Sequence, residues 1–331
     1  MFQALSRIGR RRALQGSAAA LVVLGLLAWW LLPFGSSAPG GRLSFSTGVP
    51  TGVYQTYGTM LRDALAEDLP NVSVTLQTSQ GSQQNISRVA TGKADFALAT
   101  ADAVDDYLRK KRPGADRLRG CARLYDDYIQ LVVADGSTVH RARDLRKLRV
   151  AVGQEGSGVR LIAERMLRAA GLDPQKDITP VAAGIDTAPR LLEEKKIDAF
   201  FWSGGLPTTA VRLLTERFPV RLIPLDDLVA TLHQSGESTR YYRSAVMPAD
   251  AYPAARNGTS VGTLAVANIL ITADRTDARL TEDFTRTVIR SRDSIGRQVH
   301  AAQLVDVRTA IYTDPLPLHE GARRYYRSVK P

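Results

Sequence analysis

The chain has 331 residues, 44% of them hydrophobic, and a formal charge of +11. That length exceeds one small domain and suits two, and the single cysteine, Cys121, excludes an internal disulfide or a paired-thiol metal site. The basic excess is scattered, with its densest runs at Arg109-Lys-Lys-Arg112 and from Arg141 to Arg149, and no aromatic-interleaved patch accompanies it, so nucleic acid is not an expected partner. Solvated helix faces and attraction to anionic lipid or substrates account for such a balance.

Residues 1–15 carry Arg7, Arg10, Arg11 and Arg12 and no acid, leaving about +7 of the +11 for residues 42–331. Residues 16–34 are apolar and uncharged, long enough as a helix for the ~30 Å of a bilayer core. The arginines predict a cytoplasmic N-terminus and an extracytoplasmic remainder. Ser36-Ser-Ala38 resembles a signal-peptidase site, but Pro39 disfavours cleavage there. An uncleaved single-pass signal-anchor is expected, with a secreted or periplasmic protein as the alternative. Residues 35–41 read as a Gly/Ser/Pro linker.

The remainder predicts an α/β fold of two lobes. Residues 43–46 alternate as a strand, 47–52 turn, 54–69 have helical spacing, and Pro70 ends that helix. A strand over 72–76, a polar loop with Gly81-Ser82, a short helix over 85–91 and a strand over 95–99 complete a βαβαβ unit. Such a unit implies a parallel sheet with ligand space at the carboxyl ends of its strands. A longer apolar strand over 128–134 reads as a crossing into the second lobe.

There the plan repeats. A strand over 149–152, the loop Gly153-Gln-Glu-Gly-Ser-Gly158, a helix over 159–170, a strand over 178–182, a helix over 189–195 and a strand over 197–202 are expected. Gly204-Gly205 is read as opening a helix through 211–216, followed by a strand over 221–224. Residues 260–273 would return the chain to the first lobe, 281–299 form one long amphipathic helix, and a last helix carries Tyr325-Tyr326. The expected division is 42–131 with 265–331 for one lobe and 132–264 for the other, with a hinge and a cleft between them.

The strand-end loops carry the chemistry. Helix N-termini offer unpaired N–H groups and a partial positive charge, glycines allow close approach, and Thr47, Thr51, Ser82, Thr100, Ser157 and Ser203 add hydroxyls. The set suits a carboxylate or phosphate. The 153–158 loop lacks the Lys-Ser/Thr of a nucleotide-binding loop, since Val159-Arg160 follow. No nucleophile–base pair is evident, so no catalytic residues are expected, and the isolated His140, His233, His300 and His319 support no metal site. Asp102 reads as a helix N-cap, Asp126-Asp127 and Asp226-Asp227 as surface turns, and Tyr54 and Trp202 either wall a ligand or pack in a core.

At these loops the sequence resembles the TAXI family of solute receptors for tripartite ATP-independent periplasmic (TRAP) transporters. The resemblance is carried by Ser46-Thr-Gly-Val-Pro-Thr-Gly-Val-Tyr54, Gln77-Thr-Ser-Gln-Gly-Ser-Gln-Gln-Asn85 and Gly92-Lys-Ala-Asp-Phe96. It continues through Val152-Gly-Gln-Glu-Gly-Ser-Gly158, Ile197-Asp-Ala-Phe-Phe-Trp-Ser-Gly-Gly-Leu-Pro207 and Pro317-Leu-His-Glu-Gly-Ala322. It implies a type II periplasmic-binding fold, no enzymatic activity, no cofactor, and delivery of a small anionic or zwitterionic solute, such as glutamate, to a TRAP-type membrane permease. Mapped residue by residue, the binding loops fall at Thr47, Gly48, Thr51, Gly52 and Tyr54; Gly81, Ser82 and Asn85; Thr100 and Asp102; Gly156, Ser157 and Gly158; and Trp202, Ser203, Gly204 and Gly205. Thr51 and Gln80 stand where the family has glycines, and Thr100-Ala101 where it often has Gln-Ser, which puts glutamate itself in doubt. A sensory or partner-binding module is the alternative use of the same fold.

Overall fold

The computed structural model describes residues 40–329, so the expected anchor over 16–34 lies outside the described residues. Among the described residues no helix is long and apolar enough to cross a membrane.

The first βαβαβ unit forms as its pattern dictates. Strand β1 (Gly41–Ser46) pairs in parallel with β2 (Val72–Gln77) and β3 (Phe96–Thr100). Helix α1 (Val53–Asp68) turns Tyr57, Leu61 and Leu65 inward at four-residue intervals, and each of the leucines is fully buried. Burial of that completeness stabilises by roughly 1.5–3 kcal/mol per leucine. Helix α2 (Ser82–Ala90) starts three residues earlier than the sequence suggests, and α3 (Ala101–Arg109) follows β3 directly. Phe96 stacks on Phe284 at 4.1 Å between ring centroids, with Phe45 edge-on to Phe284 at 6.0 Å, at the centre of this lobe.

The second unit repeats the plan. Strand β5 (Arg149–Ala151) pairs in parallel with β6 (Thr179–Val181) and β7 (Ala199–Gly204), with α4 (Gly158–Ala169) and α5 (Ala188–Glu193) as the crossovers. All six residues of β7 are buried, as expected of a strand covered on both faces. Its core gathers residues between Ile129 and Val266, including Phe200, Phe201 and Tyr242. Residues of the other lobe's core lie before Ile129 and after Val266.

Two long strands join the lobes. β4 (Leu118–Ala134) and β10 (Val261–Ala273) run antiparallel side by side, and the sheet reads β2-β1-β3-β10-β4-β7-β5-β6. β8 (Val220–Leu222) adds to β4 and β9 (Arg243–Met247) to β10. The β4–β10 register slips between Ala267 and Ile269 and again between Leu270 and Ile271. β4 is therefore much longer than the stretch 128–134 read from sequence.

Two other expectations are corrected. Gly204 ends β7 and Gly205 opens no helix: the next one, α6 (Thr209–Arg217), begins four residues later. The span 281–299 is two helices, α8 (Ala278–Arg290) and α9 (Arg292–Gly296), parted at Ser291, whose hydroxyl bonds back to the Thr287 carbonyl at 2.5 Å. Such back-bonding competes with the helical ladder. Helix α7 (Val229–Gln234), α10 (Val307–Ala310) and α11 (Glu320–Val329) complete the described chain.

Candidate functional site

One cavity, of about 630 Å³ counted out to its mouth, lies where the lobes meet. Four helices begin at its wall. Their N-cap residues, Gly52 of α1, Gly81 of α2, Thr100 of α3 and Ser157 of α4, all line it. Only Ser157 caps with its side chain, its Oγ accepting from the Arg160 amide at 3.0 Å. Gly81 holds φ at +124°, and Gly153 holds +84° with no room for a Cβ between Ser157 and the Arg160 amide. Both positions therefore need glycine.

The lobes touch around this cavity. The Gln84 amide donates to the Gly156 carbonyl at 3.0 Å and Gln83 Nε2 to the Ser157 carbonyl at 2.8 Å. A Cβ on Gly158 would stand 2.9 Å from Ser82 Oγ. Thr51 Oγ1 donates to Asp186, so the first strand-end loop also reaches across.

Of the residues expected to bind ligand, Gly48, Gly52, Tyr54, Gly81, Ser82, Thr100, Ser157, Gly158, Trp202, Ser203 and Gly204 line the cavity. The other six do not. Thr47 is fully buried and bonded to Gln55 and to the Gln77 carbonyl. Asn85 is spent on scaffolding: its Nδ2 donates to the Thr47 and Leu98 carbonyls at 2.7 and 2.8 Å, and its Oδ1 accepts from Ser46. Thr51 and Gly205 line a separate groove with Val299 and Ala301, and Gly156 sits outside beside Gln84.

Asp102 is no N-cap, since Thr100 holds that position. Its carboxylate is wholly buried and accepts from Arg165 Nη1 of α4 at 2.8 Å and from the Tyr242 hydroxyl at 2.6 Å. Arg165 also reaches Asp106 at 3.2 Å. This is a buried ion pair between the lobes, set apart from the cavity.

The sequence reading missed the one carboxylate that, among the described residues, faces the cavity. Asp127 was expected in a surface turn with Asp126; it lies inside β4 and is 4% exposed. Asn268 Nδ2 of β10 donates to it at 2.7 Å and Ser203 Oγ at 3.4 Å. The Tyr54 hydroxyl donates to Asn268 Oδ1 and lies 3.2 Å from Ser82 Oγ. Burial pushes the Asp127 carboxyl up to about 7, against the two donors, with Asp126 and Asp102 adding repulsion. Burial likewise holds the Tyr54 phenol well above its ordinary range. Val49, Val53, Gln80 and Gln154 also line the cavity from within the quoted motifs, and Val159, Ile162, Gly184 and Ile185 line it without any motif signal. Trp202 forms another wall, its indole N–H donating to Thr208 Oγ1 at 3.0 Å.

A pH-dependent stability follows. Between the unfolded carboxyl value of 3.8 and about 7 the native chain keeps the Asp127 proton that the unfolded chain releases, so this group makes stability fall as pH rises through that window. Asp127→Asn retains an acceptor for Asn268 and removes that loss. Its melting temperature is expected to exceed the wild type's at pH 8 and to match it near pH 4, by differential scanning fluorimetry; equal differences at both pH values would contradict the assignment.

Solved structures share the architecture. A protein from Bordetella bronchiseptica RB50 aligns at 16% identity over 88% of this chain and 90% of its own, with a TM-score of 0.51. A Listeria monocytogenes protein assigned to L-cystine ABC transport aligns at 12% identity over 80% of this chain and 98% of its own, with a TM-score of 0.50. The fold is the two-lobed α/β fold of periplasmic binding proteins. The model of the NMT1-like family matches residues 45–329, nearly the whole of the described chain, and the protein belongs to that family.

Proposed function

We propose that this chain is an extracytoplasmic receptor that captures a small carboxylate or amino acid between its lobes and hands it to membrane permease subunits. The observation that carries the reading is the convergence of four helix N-caps on one interlobe cavity. Each helix end contributes only ~0.3–1 kcal/mol toward an anionic group, so convergence is what makes the site. We take 42–131 with 265–331 and 132–264 as the moving lobes, closing about β4 and β10 by a hinge motion. A TRAP-type permease is the proposed partner, on the strength of the loop motifs, and membrane attachment would come from residues 16–34. The fold neighbour assigned to L-cystine ABC transport is consistent with solute capture as the use of such a cleft. Binding without turnover is proposed: the cavity's hydroxyl–carboxylate contact, Ser203 Oγ to Asp127 at 3.4 Å, is longer than the ~2.6–3.2 Å of an activated nucleophile–base pair.

The test is a thermal-shift screen of the full chain in detergent against amino acids, dicarboxylates, oxo acids and phosphates. A solute at 100 times its dissociation constant adds about 2.7 kcal/mol, a shift of several degrees. A selective shift by one carboxylate or amino acid is expected. A flat response across the panel would count against capture of this solute class.

A further inference from the structure

The cavity's charge is not what an anion site ordinarily shows. Among the described lining residues there is no lysine, arginine or histidine, and the titratable side chains are Tyr54 and Asp127. Asp127 sits on the sheet, at the crossing strand β4, whereas the positive helix ends belong to the loops. A simple anion would meet attraction at the helix starts and repulsion from this carboxylate. A solute with both signs of charge would satisfy both.

The partners of Asp127 leave work for such a solute. Two oxygens offer about four acceptor sites, and the protein fills one at 2.7 Å from Asn268 and another, weakly, at 3.4 Å from Ser203. The charged neighbours acting on it are carboxylates, Asp126 on its own strand and Asp102 on α3, whose arginine partners are turned to those two acids, and the Tyr125 phenol of β4 also lies near it. Tyr54 of α1 is turned to Asn268 and Ser82 instead. A protonated amine supplies three donors and a positive charge to an acceptor in this situation.

We infer that Asp127 seats a protonated primary amine of the solute, which makes the solute a zwitterion of the α-amino acid class and not a plain carboxylate. The inference rests on the receptor reading of the same cavity. Asn268 is the positioning residue: its side chain donates to the carboxylate and accepts from Tyr54, fixing both. Protonation of the solute's amine and ionisation of Asp127 are both required, so affinity rises from pH 5 to pH 8.

The experiment is calorimetric titration of the full chain in detergent with matched triads. Glutamate is set against 2-oxoglutarate and 4-aminobutyrate, and leucine against 4-methyl-2-oxopentanoate and 3-methylbutylamine. The expected result is that the amino acid of one triad binds, its oxo acid binds at least ~100-fold more weakly, and the preference is lost in Asp127→Asn. Affinity of the wild type for that amino acid should rise about tenfold or more between pH 5 and pH 8, and the variant should show no such rise. An oxo acid bound as tightly as its amino acid, or an affinity that falls with pH, would overturn the amine seat and leave the receptor reading standing, because Asp127 would then be acting as a neutral donor to an anion. Tight binding of 3-methylbutylamine alone would keep the amine seat and overturn the carboxylate half of the reading. Silence of all six probes would overturn both. Melting curves of Asp127→Asn confirm that it is folded, and Asn268→Leu, which removes a donor that favours the ionised carboxylate while keeping the carboxylate, is expected to weaken amino-acid binding and to move the rise in affinity to higher pH.

Discussion

Replacing Gly158 by tryptophan is expected to abolish solute capture while leaving both cores folded. Gly158 is the first residue of α4, and its backbone is outside the left-handed region, so a side chain is tolerated by the chain itself. What it meets is the opposite lobe: its Cβ would lie 2.9 Å from Ser82 Oγ and 3.7 Å from Thr100 Oγ1. An indole there must occupy the cavity or hold the lobes apart. Either way the loss should be at least ~100-fold, or about 2.7 kcal/mol, in a calorimetric titration with whichever solute the thermal screen selects. A melting temperature within a few degrees of wild type would exclude unfolding as the cause. Wild-type affinity in this variant would remove the site from this cavity. Ser157→Trp is the less clean choice, since Ser157 also caps α4 and its loss costs the helix ~1 kcal/mol on its own.

The second large effect concerns the ion pair between lobes. Arg165→Ala leaves Asp102, 0% exposed, with the Tyr242 hydroxyl as its remaining side-chain donor and with Oδ1 already lacking any partner. Removing one partner of a buried pair typically costs 3–5 kcal/mol, here a drop of roughly 6–10 °C in melting temperature. Parting of the lobes would relieve that cost by letting water reach Asp102, which small-angle scattering would register as a larger radius of gyration. A melting temperature within one degree of wild type together with unchanged scattering would show that the pair holds nothing. Adding Asp102→Asn to Arg165→Ala should recover part of the loss, because the stranded charge is then gone.

How far these features could be read beforehand depended on the residue in question. The strand–loop–helix units at 43–69 and 149–170 were legible because alternation, turn glycines and helical spacing agree there. The lining position of Gly81 was legible for the same reason: glycine at a strand end reports a backbone requirement, here φ of +124°, that does not depend on distant partners. β4 was not. Arg119, Arg123, Asp126 and Asp127 break its apolar run; Arg123 pairs with Asp126 within the strand at 2.7 Å, but Arg119 pairs with Asp274 at 3.5 Å, Arg243 of β9 reaches Asp126, and Asn268 of β10 serves Asp127. The same holds for Asp102, whose cation is 63 residues away on the other lobe. Local sequence weighs a carboxylate by its neighbours in the chain, so both were assigned to surface or capping positions. Asn85 and Thr47 erred in the opposite direction: their polar side chains sit in the right loops but satisfy backbone carbonyls instead of facing the cavity.

The slip in the β4–β10 ladder between Ala267 and Ile269 leaves Asn268 as the residue at the irregularity. Strand pairs flex most readily where their ladder is interrupted. Asn268 is also bonded to both Asp127 and Tyr54. One side chain thus ties the irregular point of the crossing strands to two residues of the cavity wall. Under the proposed hinge motion, a solute that tightens the Asp127–Asn268 contact would stiffen the joint itself, so occupancy and posture would need no relay.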